Sequence, residues 1–186
     1  MYVIVGLGNP GNEYKETRHN VGFKSLEILA ERNNIKLNRM KFNSVYGEGR
    51  IGGEKVVLLK PQTFMNNSGE AVREVIDFYK LPIENIIVLV DDINIEFATI
   101  RIKGKGSAGS HNGLKSIINH IQDKNFTRVR IGVGQKKHKE QNLADFVLGR
   151  FDKDEEAYIE DAIYKSALAV EEIVEDGIIA AMNNYN

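Results

Sequence analysis

The sequence predicts an α/β fold, a single three-layer domain over residues 1–186 whose mixed, mostly parallel twisted sheet is flanked by helices. Three observations carry that prediction. Short apolar runs, rich in β-branched residues, alternate with segments whose apolar residues recur at helical spacing. The stretches between them are short, which is how layered α/β domains connect their elements. Residues 86–90 (Ile-Ile-Val-Leu-Val) are apolar without a break, as a strand covered on both faces must be. A length of 186 residues suits one domain, and no internal repeat or proline-rich linker divides it.

The elements follow in order. Residues 2–7 form the first strand and run into a glycine-rich turn. Over 19–34, Phe23, Leu26, Leu29 and Ala30 share one helical face, and Asn33-Asn34 stops the pattern. Residues 45–51 and 55–60 read as a hairpin around Gly52-Gly53, because a tight connection needs positive φ. Ala71, Val72, Val75, Ile76 and Tyr79 make residues 68–79 a helix. Residues 99–103 form a strand and 114–121 a short helix. Residues 128–133 alternate basic and apolar side chains, which predicts a strand with one buried and one exposed face. Over 154–176, Ile159, Ile163, Val170, Ile173 and Val174 turn inward from a long helix.

Composition narrows the function classes. With 42% hydrophobic and 27% charged residues the chain resembles an ordinary globular protein. It has no cysteine, which excludes disulfides, a thiolate nucleophile and cysteine-type zinc sites, and suits a reducing cytosol. The opening residues read as a strand and not as a signal peptide. No apolar run approaches the roughly 18 residues of a membrane span, so no membrane partner is expected. The net charge is −1, yet residues 151–186 hold ten acidic side chains against Lys153 and Lys165, which leaves the first 150 residues at +7. Such a basic body suggests a polyanionic partner; a helix with a solvated acidic face explains the acidic segment equally well.

Four stretches offer chemistry. Gly6-Leu7-Gly8-Asn9-Pro10-Gly11 follows a strand and matches the dinucleotide-binding pattern. However, residues 12–18 are polar and do not open a helix, and the expected acidic position falls inside one. The simpler reading is a tight turn that leaves Asn9 at the carboxyl end of a strand, where open α/β sheets bind ligands. His19 stands where a polar loop meets a helix. A carboxylate at the end of residues 86–90, Asp91 or its neighbour Asp92, could orient one ring nitrogen and leave the other as a base. Asn66 and Asn67 precede a helix, as caps or as site amides. Ser107 to Lys115 form a small-residue loop into a helix, with His111 and Asn112 at the junction and backbone donors suited to an anion.

Together these stretches resemble the bacterial peptidyl-tRNA hydrolase family from Val3 to about Gly177. The resemblance rests on Val5-Gly6-Leu7-Gly8-Asn9-Pro10-Gly11, Tyr14 with Thr17-Arg18-His19-Asn20-Val21-Gly22, Lys60 through Gly69, Asp91-Asp92, His111 through Lys115, and Arg130-Ile131-Gly132-Val133-Gly134. It implies that His19 is the catalytic base and that Asp91, rather than Asp92, is its partner. It implies that Asn9, Asn66 and Asn112 line the site, that Tyr14, Phe64 and Met65 shape the cleft near the peptide and terminal adenosine, and that Lys103 and Arg130 clamp the tRNA 5′ phosphate. Two departures bear on loop shape and affinity. The family's Asp-Asp usually continues Leu-Asp-Leu-Pro and a glycine, whereas this chain has Ile93-Asn94-Ile95-Glu96-Phe97-Ala98. Ser110 replaces the glycine before the His-Asn pair.

The expected reaction is hydrolysis of the ester joining peptide to tRNA, in the cytoplasm, by a monomer that needs no cofactor and no metal. Neutral His19, held by Asp91, would deprotonate water, so activity should fall at acid pH with an apparent pKa of roughly 6–7. Asn9 or Asn66 would donate to the oxyanion. Asn112 or Asn66 would read the blocked amine. Lys103, Lys105 and Arg130 would hold tRNA, with Lys136, Lys137, His138 and Lys139 either extending the track or forming a solvated loop. Three other classes stay open at this point: a non-catalytic RNA-binding relative, a nucleotide-dependent oxidoreductase, and a metal hydrolase using His19, Asp91 and His111.

Overall fold

A computed structural model describes all 186 residues. Chain order gives β1 (Tyr2–Gly6), α1 (Val21–Arg32), β2 (Arg39–Lys41), β3 (Ser44–Ile51), β4 (Glu54–Pro61), α2 (Ser68–Tyr79), β5 (Ile86–Asp92), β6 (Ile100–Lys103), α3 (Asn112–Ile121), β7 (Thr127–Gly132), α4 (Leu143–Val147), α5 (Glu156–Asp176) and α6 (Ile178–Tyr185). Short 3₁₀ turns at Arg18–Asn20 and Met65–Asn67 lead into α1 and α2.

One seven-stranded sheet runs in the order β2-β3-β4-β1-β5-β7-β6. The four middle strands, β4, β1, β5 and β7, are parallel neighbours. The additions at either side are antiparallel: β3 on β4, β2 on β3, and β6 on β7. The expected three-layer α/β domain with a mixed sheet is therefore present, with the parallel part confined to the centre.

Alternation along the middle strands assigns the two helical layers. Ile4, Ile87, Leu89, Val129 and Ile131 point to one side and pack with residues of α1, α5 and α6. Val3, Val5, Val57, Ile86, Val88 and Val90 point to the other and pack with α2 and α3. This is the period of two expected of a pleated strand. The unbroken run of β5 follows, because both of its faces are covered. Gly22 lets α1 lie against this centre. A Cβ there would fall on the backbone of Leu7 and Leu89, and the Phe23 N–H donates to the Leu7 carbonyl at 3.1 Å.

Two expectations need correction. Residues 128–133 were expected to bury one face and expose the other. Val129 and Ile131 do face the core, but Arg128 on the opposite face is only 1% exposed. The loop between β6 and α3 folds over its guanidinium, which donates to the carbonyls of Gly106, Ser107 and Lys124 at 2.8–3.0 Å. The asparagines before α2 do not cap it through their side chains: Asn67 holds the cap position but makes no such bond.

Candidate active site

The loops at the carboxyl ends of β1, β4 and β5 converge with the start of α3 on a cleft of about 680 Å³. Asn9, Tyr14, His19, Phe64, Met65, Asn66, Asp91, Lys103, Asn112 and Arg130 all line it. Residues spread over more than a hundred positions of sequence thus share one cavity, at the end of the sheet where open α/β folds bind ligands.

Asp91 is the centre of the site. It is the next-to-last residue of β5, is 4% exposed, and points both carboxylate oxygens at histidines. Oδ2 lies 2.7 Å from His19 Nδ1 and Oδ1 lies 2.7 Å from His111 Nε2. Asp92 turns the other way, with a carboxylate oxygen 3.5 Å from Arg130. Adjacent residues of a strand face opposite sides, and this geometry selects Asp91 over Asp92.

The proton positions follow from the partners. An ionised carboxylate only accepts, so His19 Nδ1–H donates to Asp91, and the lone pair of His19 is left on Nε2. His111 is fixed at both nitrogens. Its Nδ1 accepts from the Gly113 and Leu114 N–H groups at 3.1 and 3.3 Å, capping α3, so its proton sits on Nε2 and is donated to Asp91. The backbone donors expected to meet an anion at this helix start are therefore already engaged by His111.

The charges agree with this arrangement. Burial works against the protonated form of His19, but the charge and hydrogen bond of Asp91 outweigh it and raise His19 above its usual value of 6.5. Burial likewise works against ionised Asp91, yet the histidines' charge and hydrogen bonds hold it well below the usual carboxylate range. His19, Asp91 and His111 also bring possible metal-ligand atoms within 4.8 Å of one another. Those atoms already bond to each other, and His111 Nδ1 serves the α3 backbone. A metal would have to break both histidine–aspartate bonds.

Asn9 lines the same cleft as the histidines with its orientation determined. Its Oδ1 accepts from the Met65 N–H at 2.7 Å, so the Nδ2 amino group is the free end. Asn20 secures the backbone beneath. It accepts from the Asn9 N–H and donates to the Asn9 carbonyl, both at 2.9 Å. Asn66 and Asn112 stand exposed on the rim. Tyr14 and Phe64 meet edge to face with ring centroids 6.3 Å apart. Phe64 takes φ 62 and ψ 157, a backbone region that is nearly glycine's alone.

Lys103 and Arg130 flank the cleft, whereas Lys105, Lys136, Lys137, His138 and Lys139 are exposed and do not line it. Lys137 is paired with Asp152 at 2.5 Å. Sequence reasoning gave no role to Arg18, which is 4% exposed. It binds Glu155 at 2.8 Å and the Val133 carbonyl at 2.7 Å, and lies over the rings of Phe146 and Phe151. Thus the turn that carries His19 is tied to α4, whose Leu143 and Val147 line the cleft. Leu143 and Val147 also went unassigned, since five residues are too few to show a helical period.

An α/β sheet that presents a carboxylate-held histidine and an oriented amide to one cleft defines an enzyme equipped for general acid–base chemistry. The comparison with known proteins narrows this class. The chain belongs to the peptidyl-tRNA hydrolase family, whose sequence model, described as "Peptidyl-tRNA hydrolase", matches residues 3–186. Over its whole length it is 55% identical to a peptidyl-tRNA hydrolase of Clostridium botulinum (strain Kyoto / Type A2), covering 97% of that relative. It is 53% identical to one from Alkaliphilus metalliredigens, covering all of both chains. The crystal structure of peptidyl-tRNA hydrolase from Acinetobacter baumannii superposes with a TM-score of 0.92 at 40% identity, over 98% of this chain and 93% of that one.

Proposed function

We propose that this chain hydrolyses the ester bond between peptide and tRNA in peptidyl-tRNA, with His19 as general base. Membership of the family supports the reaction. The observation that carries the mechanism is the His19–Asp91 pair at 2.7 Å, which commits the base's lone pair to Nε2.

Neutral His19 takes a proton from water through Nε2, and the hydroxide attacks the ester carbonyl carbon. The negative charge that develops on the carbonyl oxygen is met by Asn9 Nδ2, which needs no reorientation because Met65 already holds the other end of the amide. Collapse of the tetrahedral intermediate breaks the bond to the ribose oxygen. The His19 imidazolium returns its proton to that oxygen, which leaves free peptide and intact tRNA. Asn66 and Asn112, on the rim, read the peptide group that a free amino acid ester lacks. Tyr14, Phe64 and Met65 take the flanking peptide and terminal adenosine.

Lys103 and Arg130 hold the tRNA 5′ phosphate beside the acceptor stem. Binding of this kind is electrostatic and largely independent of sequence. One chain supplies every group named, so the reaction calls for no second copy and fits a monomer. No helix is long and apolar enough to cross a membrane, and a substrate made by translation puts the reaction in the cytoplasm.

The test compares N-acetyl-aminoacyl-tRNA with the unblocked aminoacyl-tRNA, using wild type and His19→Ala. Wild type should cleave only the blocked ester, and His19→Ala should fold and bind tRNA without turnover. Binding without turnover by wild type would replace the hydrolase with an RNA-binding relative of the same fold.

A further inference from the structure

We propose that Arg128 is a buried, uncompensated positive charge that strengthens phosphate binding at Lys103 and Arg130 without touching the phosphate. This rests on the reading above that those two side chains hold the tRNA 5′ phosphate.

The register of the β6–β7 ribbon places the charges. Lys103 pairs with Arg128, and Arg101 with Arg130. Directly opposed residues share a face, so four cations lie on one side of the ribbon. Ile100, Ile102, Val129 and Ile131 occupy the other and join the core. Arg101 and Lys103 are exposed and Arg130 is partly so, whereas Arg128 is 1% exposed.

A buried guanidinium is ordinarily matched by a carboxylate. Arg128 has none. Its Nη atoms donate to the carbonyls of Gly106, Ser107, Lys124 and, at 3.4 Å, Phe126, its guanidinium lies over the Phe126 ring, and its Nε has no partner; none of these contacts carries a formal negative charge. The sole carboxylate paired on this face, Asp92, belongs to Arg130 at 3.5 Å, and the Nε of Arg130 is also buried without a partner. Burial, and then the charge of Arg130, push Arg128 down to about 10, so it remains a cation at neutral pH.

Gly106 links the charge to the surface. Its carbonyl accepts from Arg128 at 2.8 Å, while a Cβ built on it would come within 3.3 Å of the Lys103 ammonium. A single glycine thus separates the buried cation from the exposed one. In the free protein these cations repel one another across a region of low dielectric. An arriving phosphate relieves that repulsion, and Arg128 contributes to its affinity from beneath the loop.

The experiment uses blocked aminoacyl minihelices that carry either a 5′ phosphate or a 5′ hydroxyl. Wild type should prefer the phosphate through KM. Arg128→Gln should lose on the order of tenfold of that preference, as expected for one unit charge at short range, with kcat on the 5′-hydroxyl substrate unchanged. Arg128→Lys, which keeps the charge and loses the fork, should retain most of it. Retained preference in Arg128→Gln, or equal loss in Arg128→Lys, overturns the proposal. Lys103→Ala separates the two ideas: if it leaves the preference intact, the clamp reading itself fails. A measurement on unaltered protein covers the case of a variant that does not fold. The Arg128 Nε–H resonance should shift when the 5′-phosphorylated minihelix binds and not when its 5′-hydroxyl counterpart does; no difference between the two overturns the proposal.

Discussion

His111 Nε2 donates to Asp91 Oδ1 at 2.7 Å while its Nδ1 caps α3, so one ring joins the carboxylate that holds His19 to a helix start. This separates two roles that a substitution can test. His111→Ala removes the cap, a loss of about 1 kcal/mol, and leaves one oxygen of buried Asp91 unpaired, a further cost of roughly 1–3 kcal/mol. His111→Asn keeps a good capping residue but is too short to reach Asp91. Thermal melts should show His111→Ala well below wild type and His111→Asn recovering part of the difference. Both should lose kcat about equally, on the order of tenfold, because both free Asp91. Full activity in His111→Asn would show that Asp91 needs no second anchor.

The pH dependence has a sign set by the same carboxylate. His19 works as a base only when neutral, and its folded value lies above 6.5 because Asp91 outweighs burial. The acid limb of kcat/KM should therefore have its midpoint above 6.5. Asp91→Asn removes the charge and leaves burial, so the limb should move to lower pH as the rate falls. Stability runs the other way. A histidine raised on folding contributes stability that is complete below its unfolded value near 6.5 and is lost as pH rises through the folded value. Asp91, held low, contributes stability above its unfolded value near 4, which is lost as pH falls through the folded one. Melting temperature should thus fall across the pH range in which activity rises, and His19→Asn should flatten that slope. Equal slopes in the two proteins would remove His19 from the linkage.

Asn9 gives a sharper test of the oxyanion role than deletion alone. Asn9→Ala loses the donor and should cost roughly 10²–10³ in kcat. Asn9→Asp keeps an acceptor for the Met65 N–H but presents a carboxylate where negative charge develops. It should keep the fold, as judged by an unchanged melting profile at neutral pH, and lose at least as much kcat as Asn9→Ala. Greater activity in Asn9→Asp than in Asn9→Ala would show that the Asn9 amide serves only to hold Met65.

Much of this architecture was legible in the sequence, for identifiable reasons. α2 was read at both ends because Ala71, Val72, Val75 and Tyr79 mark one face over three turns. β5 was read because an unbroken apolar run of five has few alternatives, although the strand continues through Asp91 and Asp92. The edge strand β2 was missed, since its three residues are all exposed and show no alternation. α4 is too short to show a period. The burial of Arg128 could not be read from its own strand, because the loop that covers it is a separate stretch of chain. The role of His111 was hidden by its neighbour, since by propensity Asn112 is the better cap and yet the ring of His111 accepts the two N–H groups.

Ala98 takes the left-handed conformation, φ 58, with its N–H donating to the Gly132 carbonyl at 2.9 Å. The turn is thus made at the cost of strain in a residue that has a Cβ. A left-handed alanine costs about 1–2 kcal/mol, and a glycine returns roughly 0.5–1 kcal/mol of that through the entropy of the unfolded chain. Ala98→Gly should therefore stabilise the protein by up to about 1 kcal/mol in urea unfolding, with KM unchanged. Destabilisation would mean that the Ala98 methyl packs productively against the core.

Phe64 presents the same kind of strain inside the cleft, where relieving it should damage function. Its backbone, φ 62 and ψ 157, costs on the order of 1–3 kcal/mol for any residue but glycine. Phe64 as a residue is 52% exposed, so removing its ring forfeits only part of a core residue's burial. What the strain secures is the position of the ring, edge to face with Tyr14 at 6.3 Å. Phe64→Gly relieves the backbone and removes the ring, whereas Phe64→Ala removes the ring and keeps the strain. Urea unfolding should place Phe64→Gly above Phe64→Ala by about 1 kcal/mol, even after glycine's entropy cost of roughly 0.5–1 kcal/mol. The two variants should show the same rise in KM for the blocked ester, because both lack the aromatic wall. If Phe64→Gly is no more stable than Phe64→Ala, the conformation is not strained. If KM is unchanged in both, the ring does not contact substrate, and the strain has no part in binding.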